Sequence, residues 1–280
     1  MHNVRYPDRD IVLANAGTAI TRAPSDAIWH NCPWLTMLER GNGICWHEEF
    51  TEIDSAAAGL GKWQIVEAGT YDTVQLIEDP PTVVRLTVET SDNGEVYMVA
   101  GGGEGAHCKI GAGTGKVWWE CRFRMSSVSN DANGFLAGLV QPTTPAGDAF
   151  LSDGSAALAD VDFVGFNVLQ ADGDVLRAVH QQAGSTTDAV VENCYLADAT
   201  NGGYAQSGLT AAQWHKAGFY FDGQYINFFA DGKYQGRAVY SDDYFPDDEE
   251  LVTMLGIKTG GATTFYTDFD WVRMAWQIEE

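Results

Sequence analysis

The sequence predicts an all-β fold, a β-sandwich of two antiparallel sheets preceded by an N-terminal arm, and three observations lead there. Along residues 117–125, Val117, Trp119, Cys121, Phe123 and Met125 alternate with Trp118, Glu120, Arg122 and Arg124. That period of two is the mark of a strand with one apolar face. Short apolar runs recur between glycine-centred turns, as at Asp222-Gly223, Asp231-Gly232 and Gly260-Gly261, and many short strands so punctuated suggest a sandwich. No long segment carries helical periodicity; Ala56-Ala57-Ala58 is the one helix-friendly patch, too short to hold alone.

Residues 1–43 read as the arm and residues 44–280 as the sandwich domain. The arm is expected to be irregular, because Tyr6-Pro7, Ala23-Pro24 and Cys32-Pro33 disfavour helix before each proline. Trp29, Trp34, Leu35, Met37 and Leu38 are too apolar for a linker, since such groups gain from burial. The arm is therefore read as one that folds against the body or a neighbouring subunit, with Trp29, Trp34, Leu35 and Met37 as its anchors.

In the body, runs 83–88 and 95–100 flank Ser91-Asp92-Asn93-Gly94, and runs 163–169 and 175–181 flank Ala171-Asp172-Gly173-Asp174. Asp, Asn and Gly supply the positive φ angles of tight turns, so each pair is expected to form a hairpin. Runs 216–221, 224–230 and 233–240 follow around the two Asp-Gly turns, and runs 251–258 and 263–278 close the chain. Trp119 and Trp271 sit in strand patterns and are expected in the core.

Charge narrows the partners. The 280 residues hold 16 Lys and Arg against 39 Asp and Glu, a net charge of −23. The arm is neutral, with four Arg against four acidic residues, so the whole excess lies in the body. Phosphate backbones and anionic membranes recruit Lys and Arg, so neither nucleic acid nor membrane is an expected partner. No apolar run approaches ~18 residues, and Met1-His2-Asn3-Val4-Arg5 lacks the apolar stretch of a signal peptide. Five cysteines, an odd number without a Cys-x-x-Cys, fit free thiols from a reducing compartment better than a disulfide framework.

Glycan cleavage is the enzyme chemistry to test, because it needs two carboxylates about 5–9.5 Å apart. Alternate residues of one strand, as Glu-x-Asp-x-Glu, would place them. Glu52-Ile53-Asp54, Asp160-Val161-Asp162 and Asp268-Phe269-Asp270 each begin that pattern and lack its last carboxylate. Trp46-His47-Glu48-Glu49 reads as a strand with an acidic face, the six histidines have no metal-ligand spacing, and no Gly-x-Ser-x-Gly elbow occurs. The stretch 100–116 ends in Gly115-Lys116, but Ile110 replaces the first glycine of a phosphate loop and Val117 its Ser or Thr. No catalytic residue is assigned, and the chain is expected not to be an enzyme.

Two binding features remain. Asp242, Asp243, Asp247 and Asp248 could hold calcium, which takes oxygen ligands; the competing reading is a helical turn opened by Pro246 with acids at its N-terminus. No other cofactor is expected. Tyr204, Trp214, Tyr240 and Tyr244 fall near loops, where exposed rings can stack on sugars.

The second half resembles a known family. Ala217 to Gly223, Asn227 to Gly232, Phe245 to Leu251, Gly256 to Gly260 and Asp270 to Arg273, with Trp46 to Phe50 near the start, look like the concanavalin A-like (laminin G-like) jelly roll. More narrowly, they are similar to structural proteins of tailed bacteriophages. The resemblance spans about residues 44–280. It implies two packed sheets with first and last strands adjacent, and virion assembly in a bacterial cytoplasm. It also implies a role as capsid decoration or cement protein, or as part of a fibre or appendage. The expected function is therefore decoration of the outer capsid, with the major capsid protein and other virion proteins as partners. A homo-oligomer, such as a trimer, is the expected form. A lectin-like module of a tail or head fibre is the alternative.

Overall fold

A computed structural model describes residues 22–37, 41–53, 62–67, 73–79, 82–88, 94–101, 107–129, 134–142, 158, 160–169, 173–184, 189–194, 208–247, 249–261 and 264–278. Among these described residues, fifteen strands form two antiparallel sheets. Sheet I has the order β13 (Lys233–Val239), β12 (Tyr225–Ala230), β11 (His215–Phe221), β6 (Lys116–Met125), β15 (Phe265–Gln277), β4 (Val83–Val88), β3 (Thr73–Ile77). β1 (Gly43–Glu48) also pairs with β15, beside its second half, as β4 does beside its first. First and last strands are thus neighbours. Sheet II has the order β10 (Ala189–Asn193), β9 (Arg177–Gln181), β8 (Phe163–Val168), β7 (Gly134–Val140), β14 (Val252–Lys258), β5 (Glu95–Ala100), β2 (Trp63–Glu67). The expected jelly-roll sandwich is what the chain forms. Among the described residues no helix is long and apolar enough to cross a membrane.

The alternation along β6 sorts its side chains as expected. Val117, Trp119, Cys121, Phe123 and Met125 enter the core between the sheets, and Trp119 Nε1 donates to Thr253 Oγ1 on the facing sheet at 3.2 Å. Phe123, Phe135 and Phe269 stack there. β8–β9 and β11–β12–β13 pair as the expected hairpins. The expected pairing of runs 83–88 and 95–100 does not occur: β4 lies in sheet I and β5 in sheet II. Asx-Gly chemistry reverses the chain, but it does not dictate whether the next strand pairs or crosses the sandwich.

The arm differs from its expected irregularity. Residues 26–29 and 34–37 form two single-turn helices, α1 (Asp26–Trp29) and α2 (Trp34–Met37). Pro24 and Pro33 lie just outside them, where a missing N–H breaks no helical hydrogen bond. Ile28, Trp29 and Met37 bury themselves on the outer face of sheet I against Trp118, Phe229 and Ala275. A glycine in β11 permits this: a Cβ on Gly218 would stand 2.7 Å from Ile28 Cδ1.

Candidate functional site

Among the described residues, the outer face of sheet I gathers many of the ion pairs. Its floor comes from two strands. β6 points Glu120, Arg122 and Arg124 outward, and β15 points Asp268 outward beside them. A register shift between Phe269 and Trp271 makes Asp270 an extra residue, and such a bulge re-aims side chains. Asp270 and Trp271 then both serve the outer face. Trp271 is fully buried, as expected, and donates its Nε1 to the carbonyl of Arg22 in the arm at 2.8 Å.

Each aspartate binds two guanidiniums. Asp268 accepts from Arg85 Nε at 2.6 Å, Arg85 Nη2 at 2.9 Å and Arg124 Nε at 2.8 Å. Asp270 accepts from Arg22 Nε at 2.9 Å and from Arg122 Nη1. Arg124 Nη2 also donates to Asp79. Asp268 and Asp270 are 0% and 1% exposed, whereas Arg22, Arg85 and Arg124 are 38%, 21% and 22% exposed. Arg22, Arg85 and Arg124 reach the surface, and the two anions lie beneath with Arg122. Hydrogen bonding to Asp268 raises the Arg85 pKa, while burial lowers that of Arg122.

Aromatic rings lie over these cations. Arg85 Cζ sits 3.7 Å from the Tyr266 ring centroid, and Arg122 and Arg124 sit 4.3 Å and 4.6 Å from that of Trp214. Both rings are half-buried. Trp214 is held where β11 begins: Ala212 takes a φ of 60° and donates its N–H to the Met125 carbonyl. His215 bonds Asp231 Oδ2 through Nδ1 at 3.1 Å and accepts from Thr210 N through Nε2 at 3.3 Å.

The arm closes the neighbouring part of the face. Fully buried Glu120 accepts from Ser25 N at 3.0 Å, from Ser25 Oγ, and from Trp29 Nε1 at 2.8 Å. Lys216 Nζ donates to the Ala23 carbonyl at 3.1 Å. Burial raises the Glu120 carboxyl above the usual carboxylate range, against the opposing pull of Lys216 and those hydrogen bonds. Burial likewise lowers Lys216, with Glu120 acting against it.

The residues singled out from the sequence are dispersed. Trp29 is buried and stacks on half-buried Trp34 with centroids 4.9 Å apart. Met37 is buried beside Gly43, Leu35 lies in α2 and its side chain is outside the described residues. Of the four aromatic candidates, Trp214 alone joins the charged face. Tyr240 packs half-buried against the main core. Tyr244 is exposed and its carbonyl accepts from His180 Nδ1 at 2.9 Å. Tyr204 lies outside the described residues.

The acidic run does not converge. Asp242 accepts from Val239 N at 3.3 Å and faces His180 Nε2 at 3.8 Å. Asp243 is exposed, Asp247 packs beside Gly111, and Asp248 lies outside the described residues. Residues 245–247 are irregular, not the expected helical turn. Among the described residues no three His, Cys, Asp or Glu side chains are placed to hold a metal ion.

Arg85, Arg122, Arg124 and Tyr266 were not singled out from the sequence. Their signal was present: Arg-x-Arg on one strand and Asp-x-Asp on another are complementary ladders if the strands pair, and only the pairing was unknown.

No family model and no curated protein matches the chain. Solved structures do. A Shewanella oneidensis protein of unknown function is 12% identical over 99% of this chain and 97% of its own, with a TM-score of 0.51. The catalytic domain of an endo-1,3-β-glucanase (laminarinase) from Thermotoga petrophila is 10% identical over 83% and 96%, with a TM-score of 0.54. An endo-β-1,4-glucuronan lyase from Trichoderma reesei is 12% identical over 82% and 94%, with a TM-score of 0.52. At these identities the likeness is one of fold. It still overturns the expectation that the chain is not an enzyme. That expectation rested on a missing glucanase motif, and both a glucanase and a lyase share this sandwich.

Proposed function

We propose that the chain is a glycan-binding jelly roll whose saccharide site is the open part of sheet I's outer face. The observation that carries this reading is the strip of Tyr266, Arg85, Arg124, Asp79 and Trp214. In it, half-buried rings adjoin charged hydrogen-bonding groups already fixed in place. A ring face and a few positioned polar groups are what sugar recognition requires, and fixed groups lose little freedom on binding. Titration of the full chain with neutral and acidic oligosaccharides, followed by calorimetry, tests it. Saturable binding that Trp214→Ala abolishes supports the reading; heat from none of the sugars refutes it.

The virion setting comes from the family resemblance, and a tail or head fibre is the place in it that suits a glycan-gripping module. Capsid decoration is the second setting. In it Trp29 and Met37 would serve a neighbour, and the docked arm already spends both on its own sheet. The copy number per purified virion, by quantitative mass spectrometry, separates the two. A few to a few dozen copies support the fibre. A number on the scale of the capsid lattice supports decoration.

A further inference from the structure

We propose that the strip selects glycans bearing carboxylates, that is, chains of uronic acid units; this rests on the glycan-binding reading above. The body carries all of the chain's net −23, yet here Arg22, Arg85, Arg122 and Arg124 cluster around Asp79, Asp268 and Asp270. Four of the chain's 16 basic residues thus cluster on this part of the face.

Depth sharpens the imbalance. Asp268 and Asp270 are buried beneath the guanidiniums, so an arriving ligand meets the rings and guanidiniums before either carboxylate. Asp79, 41% exposed, is the one carboxylate of the strip that it also meets.

Donors outnumber acceptors as well. A guanidinium has five N–H groups. Asp268 occupies the Nε and Nη2 of Arg85, and Asp268 and Asp79 occupy the same two nitrogens of Arg124. Among the described residues no hydrogen bond or ion pair uses Nη1 of either arginine. A carboxylate supplies two acceptor oxygens in the plane that guanidinium favours. Tyr266 and Trp214 hold the cations against their rings and offer the flank of a sugar an apolar surface. Elsewhere the acidic body repels polyanions, which confines such a ligand to the strip.

The test compares two ligands that differ in one group: an oligosaccharide of β-1,4-linked glucuronate and the β-1,4-linked glucose oligosaccharide of equal length. The full chain is titrated with each at two salt concentrations. Charge-assisted hydrogen bonds make the uronate ligand tighter by about tenfold or more, less so at high salt. Arg85→Gln and Arg22→Gln each erase most of that preference, with folding of both variants checked by thermal melting. Equal affinity for the two ligands, lost in Trp214→Ala, keeps the glycan reading and overturns the selectivity. Uronate binding untouched by all three substitutions overturns the site. Binding of neither ligand overturns both readings.

Discussion

Sheet II turns Tyr97, Val99, Leu136, Val140, Phe163, Val179 and Met254 outward, and with Leu158 and Val161 they close into a second apolar cluster. Sheet I turns outward arginines and aspartates under half-open aromatic rings, with an arm latched beside them. Both faces follow the same alternation of strand residues, but they are stabilised differently. On sheet II the gain comes from area removed from water, and glycines make room for its rings: a Cβ on Gly138 or on Gly165 would stand 3.0 Å from Phe163 Cζ. On sheet I each buried anion needs its cations, because an unpaired buried charge is costly. A face built that way yields little net stability and keeps oriented polar groups at the surface. Sheet I is therefore the face to examine for ligand chemistry.

Breaking the charged ladder has the largest expected effect. Asp268→Ala leaves Arg85 and Arg124 without their buried anion and costs about 3–5 kcal/mol, read as a lower urea midpoint, together with loss of glycan binding. Leu136→Ala on sheet II costs about 3 kcal/mol through a cavity and leaves glycan affinity unchanged in calorimetry. Were affinity to fall equally in both, the faces would not differ in role.

The latch is next. Glu120→Ala strips Ser25 and Trp29 of a buried acceptor and costs about 2 kcal/mol. Glu120→Gln keeps an acceptor oxygen and costs less. Hydrogen exchange over residues 22–37 measures both, with faster exchange expected in Glu120→Ala.

Acid separates two buried groups of opposite sign. The folded Glu120 carboxyl lies above its ordinary 4.5, so the folded state binds more protons above that pH. Its contribution to stability is full below 4.5 and declines as pH rises through the folded value. Burial lowers His107 from 6.5 to about 4, so between those values the unfolded state binds more protons and acidification destabilises, by at most about 3 kcal/mol. The two oppose each other as pH rises from 4.5 toward the folded Glu120 value. Urea midpoints across that range fall more steeply with acid in Glu120→Gln than in the parent, and less steeply in His107→Gln.

Much of the sandwich was legible because alternation and Asx-Gly turns are local. β6, β15 and the hairpins β8–β9 and β11–β13 follow from them. β7, Gly-Phe-Leu-Ala-Gly-Leu-Val, has no alternation to detect because both of its faces are buried. The separation of β4 from β5 was not legible, since partner choice depends on strands such as β14 that are distant in sequence. The site is harder still. Ser25 meets Glu120 across 95 residues, and Arg22 meets Asp270 across 248. Trp214 was legible as a ring near a loop, but the arginines stacked on it appear only when β6 and β15 pair.

The most direct measurement is a hydrogen-exchange footprint of the full chain with and without a saturating β-1,4-linked glucuronate oligosaccharide. The account requires slower exchange in peptides covering residues 83–88, 116–125, 208–216 and 265–271, with sheet II unchanged. Protection confined to β5, β8 and β14 would place the working face on sheet II and contradict the account.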